Sequence, residues 1–194
     1  MSYYDPYPQE MLDQAICLIG FMGCEIHSVA YFMSSLTGYP FVEVDKLVEH
    51  EKGMSLAQLY LEQGETIWRK SESEQVKNAL SLRPARIICL GDGALLNKEN
   101  QELCLEQSKL VYLRRPQQGL LRRVQQGRKD NIQRFPLWLR REPQSLDELL
   151  PLLNIREPSY ELAHTLIDIG ELSALASAQH IIKRLQLSGF QTFS

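Results

Sequence analysis

The sequence predicts an α/β fold of three layers: a central parallel five-stranded sheet flanked by helices. Two observations carry that expectation. Short apolar runs alternate with longer amphipathic stretches along the 194 residues, in the strand–helix–strand order that builds a parallel sheet. Two of those runs end in glycine-bracketed turns, Gly20-Phe21-Met22-Gly23 and Gly91-Asp92-Gly93. Ligands of open parallel sheets bind beyond the carboxyl ends of the strands, so turns of this kind are where function is expected.

The elements follow in order. Residues 15–19 (AICLI) are a continuous apolar run with the length of a buried strand. Residues 28–36 read as a helix stopped by Thr37-Gly38, glycine being the common residue just past a helix end. Residues 40–44 are a second strand with Asp45 at its end. Residues 47–52 and 55–63 are short helices, and 64–80 a long polar helix beginning at Gly64. Residues 86–90 are a third strand, 98–107 a helix, 109–113 a fourth strand and 116–126 a basic helix. Residues 131–143 read as irregular. Helices are expected over 146–153 and 158–164, divided at Pro158, which cannot continue a backbone hydrogen-bond ladder. A last strand covers 165–169 and a last helix 172–187. Residues 1–14 read as a tail and 15–194 as one domain, with an arginine-rich segment over about 122–143.

The bulk numbers exclude several classes. A net charge of -3 gives no electrostatic case for nucleic acid or an anionic membrane. No apolar run approaches the ~18 residues of a membrane span, and the acidic, aromatic start MSYYDPYPQE lacks the features of a signal peptide. Cys17, Cys24, Cys89 and Cys104 form no C-x-x-C pair, which fits a reducing cytoplasm. Cys17 and Cys89 lie in apolar runs and read as buried hydrophobes; Cys24, on a loop, is a candidate exposed thiol of lowered pKa.

The turn after the first strand carries the most chemistry. A strand followed by G-x-x-x-x-G-K-[ST] and a helix is the phosphate-loop signature. Here Gly20 holds the first position, but Glu25, Ile26 and His27 stand at the second glycine, the lysine and the hydroxyl. The lysine charge is gone and a carboxylate is added. Such a carboxylate ~4 Å from a phosphate charge costs roughly 1 kcal/mol in water and ~4 at an effective dielectric of 20. Ser28 is one position late, and His27 is a poor magnesium ligand. The alternative is a plain strand-to-helix turn.

Other strand ends collect further candidates. Asp45, with Glu43 two residues before it on the same side of an extended strand, suits holding a hydroxyl or a metal-bound water; the alternative is a helix N-cap. Arg69, with Glu72 at i+3, reads as a bidentate carboxylate clamp or as a surface ion pair worth less than ~1 kcal/mol. Gly91 and Gly93 suggest close backbone approach to a ligand, or a simple turn. Arg156 precedes Pro158 and Tyr160 at an expected helix start. The arginine-rich 122–136 segment suits a lid over phosphates or a solvated loop.

Taken together, the stretches ICLIGFMG, GYPFVEVD, GMSLAQLYLEQGETIWRKSE, LGDGALL with NQEL, LVYL and REPSY resemble shikimate kinase, a nucleoside-monophosphate-kinase-like P-loop family, from about residue 15 to about 168. The resemblance implies roles. Asp45 would hold ring hydroxyls beside the reacting one, and be catalytic in an active enzyme. Arg69 and Arg156 would grip the carboxylate of shikimate, Gly91 and Gly93 would touch it, and Glu43 would help place Mg²⁺. Gly20, Gly23, Ser28 and a lid arginine, Arg134 or alternatively Arg128, would form the nucleotide side. Glu25 and Asp92 depart from the family, and both are expected to add negative charge near the transferred phosphate. The expectation is therefore a shikimate-kinase-like pseudokinase with no cofactor and a pocket for shikimate or a similar cyclic hydroxy acid. The alternatives are an active shikimate kinase using Mg·ATP, and a protein that binds a protein partner without a small ligand. No nucleic-acid or membrane partner is expected.

Overall fold

A computed structural model of the chain describes residues 11–130 and 143–187, the side chains of 126–130 excepted. Five strands form one parallel sheet in the order β2-β3-β1-β4-β5. They are β1 (Ala15–Ile19), β2 (Phe41–Glu43), β3 (Ile87–Cys89), β4 (Ser108–Arg114) and β5 (Thr165–Asp168). Among the described residues, seven helices flank it: α1 (Ile26–Thr37), α2 (Val44–Lys52), α3 (Leu56–Ser81), α4 (Lys98–Gln107), α5 (Gln117–Asp130), α6 (Leu150–Tyr160) and α7 (Ala174–Leu185). The expected fold class is the observed one.

The strands are continuous apolar runs because both sheet faces are covered. Every residue of β1 is buried, as are Ile87, Ile88 and Cys89 of β3. β1 lies in register between β3 (Leu18 beside Cys89) and β4 (Leu18 beside Val111), so the turns leaving β1, β3 and β4 open at one edge. On the outside, α1 packs on α7, and α2 and α4 pack on α3.

Local sequence explains most boundaries. Gly38 ends α1 at φ 75°, its N–H donating to Ser34 O at 2.8 Å. Ser55 and Gln58 form a capping box at the start of α3. The break expected at Gly64 is present: this residue, at φ 80° and ψ 173°, interrupts α3.

Three boundaries differ from expectation. β2 stops at Glu43 and α2 begins at Val44, so Asp45 lies in the first turn of a helix rather than at a strand end. Glu43 holds the N-cap position, which removes the capping alternative for Asp45. The helices expected over 146–153 and 158–164 are one helix, α6, running through Pro158 and preceded by a 3-10 turn at Leu146–Glu148. The proline falls in the last turn, where few backbone bonds remain to be lost, and the fully buried Tyr160 anchors that turn to the core. All four cysteines are buried and free. Burial pushes the Cys24 thiol up to about 12, and it donates to Leu113 O at 3.2 Å, so this thiol is inert rather than exposed. No helix among the described residues is long and apolar enough to cross a membrane.

Candidate functional site

The loop after β1 keeps a tight backbone path. A Cβ on Gly20 would sit 2.7 Å from the backbone oxygen of Leu113, and one on Gly23 (φ 90°) 2.8 Å from that of Leu120. Both glycines therefore answer to packing against β4 and α5. Glu25 takes the left-handed conformation, φ 54° and ψ 36°, immediately before α1. That conformation favours glycine by roughly 1–2 kcal/mol, and the position is the second glycine of the phosphate-loop pattern. The backbone here takes the conformation that suits glycine, with glutamate in it.

The Glu25 side chain turns onto arginines. Its Oε2 lies 3.5 Å from Arg115 Nη2 and 3.4 Å from Arg123 Nε. The Arg115 side chain is fully buried and also donates to Gly170 O (2.8 Å) and Leu172 O (3.2 Å). In the first turn of α1, His27 Nδ1 lies 2.6 Å from Glu43 Oε2, the carboxylate expected to help place a metal. Ser28 follows on the same helix, half-buried. Arg134 falls outside the described residues, as does the Arg128 side chain, and most of the expected lid lies there too.

Across the edge, α2, α3 and the turn after β3 converge. Asp45 Oδ1 and Glu72 Oε1 are both buried with no hydrogen-bond partner among the described residues, and both face the Cα of Gly91. A Cβ there would collide with Glu72 Oε1 and come within 3.2 Å of Asp45 Oδ1. A Cβ on Gly93 would lie 2.7 to 2.9 Å from the Arg69 guanidinium. The close approach expected at these glycines is made by the protein's own charged side chains. Arg69 Nη1 donates to Glu72 Oε2 at 2.8 Å and Nε to Glu65 Oε1 at 3.3 Å, with the guanidinium 4.1 Å over the Trp68 ring. Glu72 is 1% exposed, so this is not a surface pair. Burial, followed by the negative charges of Glu72 and Asp92, pushes the Asp45 carboxyl up to about 7 against the pull of Arg69. Burial also raises Glu72 and Asp92.

Asp92 points at α6. Its Oδ2 accepts from Arg156 Nη1 at 2.7 Å, and its backbone oxygen accepts from the Tyr160 hydroxyl. Arg156 is 3% exposed, mid-helix rather than at a helix start, and stacks 5.9 Å over the Phe21 ring. Glu25 and Asp92 thus engage different arginines and do not act at one locus.

The structure brings Asp45, Arg69, Gly91, Gly93 and Arg156 together on one side, and Gly20, Gly23, Ser28 and Glu43 on the other. Sequence reasoning missed Arg115; the Arg-Arg-Pro leaving β4 was the available signal. It also left the direction of Asp92 open, because a turn residue's side chain depends on partners distant in sequence.

Comparison with known proteins agrees with this geometry. The family profile described as shikimate kinase matches residues 22–186. The shikimate kinase of Moorella thermoacetica is 34% identical over 172 residues, 88% of this chain and 94% of that protein. That of Dictyoglomus turgidum is 27% identical over 173 residues, covering 89% and 97%. Among solved structures, shikimate kinase from Acinetobacter baumannii in complex with shikimate superposes with a TM-score of 0.76 at 26% identity, over 89% of this chain and 93% of that one. The Aquifex aeolicus enzyme gives 0.73 at 28%, over 89% and 96%. With a parallel sheet of matching topology, a glycine-turn edge and a profile match over most of its length, the chain belongs to the shikimate kinase family.

Proposed function

We propose that this protein keeps the shikimate-kinase architecture but no longer transfers phosphate from ATP, and that it retains a pocket for a small polyhydroxy ligand of the shikimate type. The observation that carries the first half is Glu25. It stands where the loop needs glycine, and its carboxylate sits on Arg115 and Arg123 at the N-terminal end of α1. A helix N-terminus with adjacent arginines is an anion site; here a protein carboxylate already supplies the anion. Ile26 brings no charge, and His27 stands against Glu43. These residues do not fit Mg·ATP, and no step is assigned to it. Nucleic-acid and membrane partners form no part of this reading.

The second half rests on Asp45 and its neighbours. A buried carboxyl oxygen with no partner among the described residues, on a first helical turn, suits the hydroxyl of a ring polyol. That a structural relative at 26% identity is described in complex with shikimate supports the ligand class.

The test of the first half is a calorimetric titration with Mg·ATP together with an assay of shikimate-dependent ADP release. The expected result is no saturable heat and no ADP above background. Turnover abolished by Asp45→Asn would overturn the proposal and make the protein an active kinase.

A further inference from the structure

The geometry points to a change of ligand class: Asp92 occupies Arg156 as an internal stand-in for a ligand carboxylate, so the pocket takes an uncharged or cationic polyol in place of an acid. The inference rests on the polyol-pocket reading above and specifies its ligand.

Among the described residues, Arg69 and Arg156 are the arginines of this cluster, and the Asp92 carboxylate lies 2.7 Å from Arg156. Arg156 is buried, its side chain 3% exposed, and Asp92 is half-buried at 21%. A charge-assisted bond of this kind is not readily opened by an entering anion, because opening it strands a charge. The turn is also fixed from the same helix, since the Tyr160 hydroxyl donates to the Asp92 backbone oxygen. Arg69 is engaged by Glu72 and Glu65. Three carboxyls, those of Asp45, Glu72 and Asp92, gather around the two guanidiniums of Arg69 and Arg156. An acid ligand would meet an excess of carboxyls, with both arginines already engaged.

The acceptors left over point the same way. Asp45 Oδ1 and Glu72 Oε1 are buried without partners among the described residues. Both are relieved by donors, which hydroxyls supply and an ammonium supplies with charge. A ring bearing hydroxyls and either a neutral substituent or an amine satisfies them; a second carboxylate does not.

The test is calorimetry on the full chain with three probes that share one ring: shikimate, its methyl ester, and the analogue in which an aminomethyl group replaces the carboxylate. For the unaltered protein, the ester and the amine are expected to bind at least ~100-fold more tightly than the acid, the scale of one close charge pair. In Asp92→Asn, which keeps the backbone contact to Tyr160, acid affinity should rise by ~30-fold or more while the amine weakens. Asp92→Gly serves as a second variant, and the unaltered protein's own preference needs no variant at all. Acid bound as tightly as ester by the unaltered protein, or an Asn variant with unchanged preference, overturns the inference and leaves the polyol pocket standing. No binding of any probe to either protein overturns the polyol reading itself, and the inference with it.

Discussion

The two halves of the site have been altered in the same way to different depths. On the loop side, Glu25 sits at the N-terminus of α1 against Arg115 and Arg123, at 3.5 and 3.4 Å. On the other side, Asp92 sits against Arg156 at 2.7 Å. In each case a carboxylate of the chain meets arginines at an edge where the fold binds anions. The Glu25 contacts are long and its side chain is 31% exposed, whereas the Asp92 contact is short and its side chain 21% exposed; the arginines Arg115 and Arg156 are both buried. Only the second half also holds carboxyl oxygens, on Asp45 and Glu72, that lack partners among the described residues. The comparison teaches that a carboxylate of the chain can engage arginines at a glycine-bracketed turn while the turn keeps its glycine-type backbone. Whether a ligand function remains depends on what polar groups are left over.

The contrast is broken most forcefully at Glu72. Its removal by Glu72→Ala takes one partner from a buried pair and should lower unfolding free energy in urea by about 3 kcal/mol. A loss under about 1 kcal/mol would mean that the pair is solvated and the two halves alike. Next comes the loop. Restoring glycine, lysine and serine in Glu25→Gly/Ile26→Lys/His27→Ser should raise Mg·ATP affinity by at least ~100-fold, about 2.7 kcal/mol, by calorimetry. No gain would show that the block lies elsewhere than in the loop.

Asp45 sharpens the comparison through pH. Its folded pKa, raised from 3.8 to about 7, exceeds the unfolded value, so the folded state holds the extra proton between those limits. Stability is therefore greatest below pH about 4 as far as this group is concerned, and it falls as pH rises towards 7. Allowing for the partly exposed edge of the residue, the loss is about 2 kcal/mol. Asp45→Asn should flatten the profile across that window in denaturant titrations at several pH values. An unchanged slope would assign it to another group.

Much of this was legible in the sequence. The five strands, the Gly38 stop and the Gly64 break were readable because apolar runs and glycine act locally. The resemblance singled out Asp45, Arg69 and Arg156, and the structure places them beside one another. What was not legible depends on contacts remote along the chain. Arg156 was expected near a helix start, but α6 runs through Pro158 and sets it against Asp92, 64 residues away. The glycines Gly91 and Gly93 looked open to a ligand, but their space is taken by Glu72 and Arg69 from α3. The two-residue spacing of Glu43 and Asp45 suggested a shared strand face, yet the chain turns into α2 between them.

The smallest expected effect isolates the backbone of the loop from its charge. Glu25→Ala and Glu25→Gly both delete the carboxylate and release the same long contacts to Arg115 and Arg123. They differ in the cost of holding φ at 54°, which alanine bears and glycine does not. The glycine variant should therefore be more stable than the alanine variant by about 1 kcal/mol in urea unfolding. Both should stay within about 1 kcal/mol of the unaltered chain, because the buried Arg115 keeps its bonds to Gly170 O and Leu172 O. Equal stability of the two variants would show that the loop relaxes out of the left-handed conformation once the carboxylate is gone. In that case the ion pairs, and not the fold, hold the phosphate-loop shape, and the loop half would prove as dependent on its internal carboxylate as the Asp92 half.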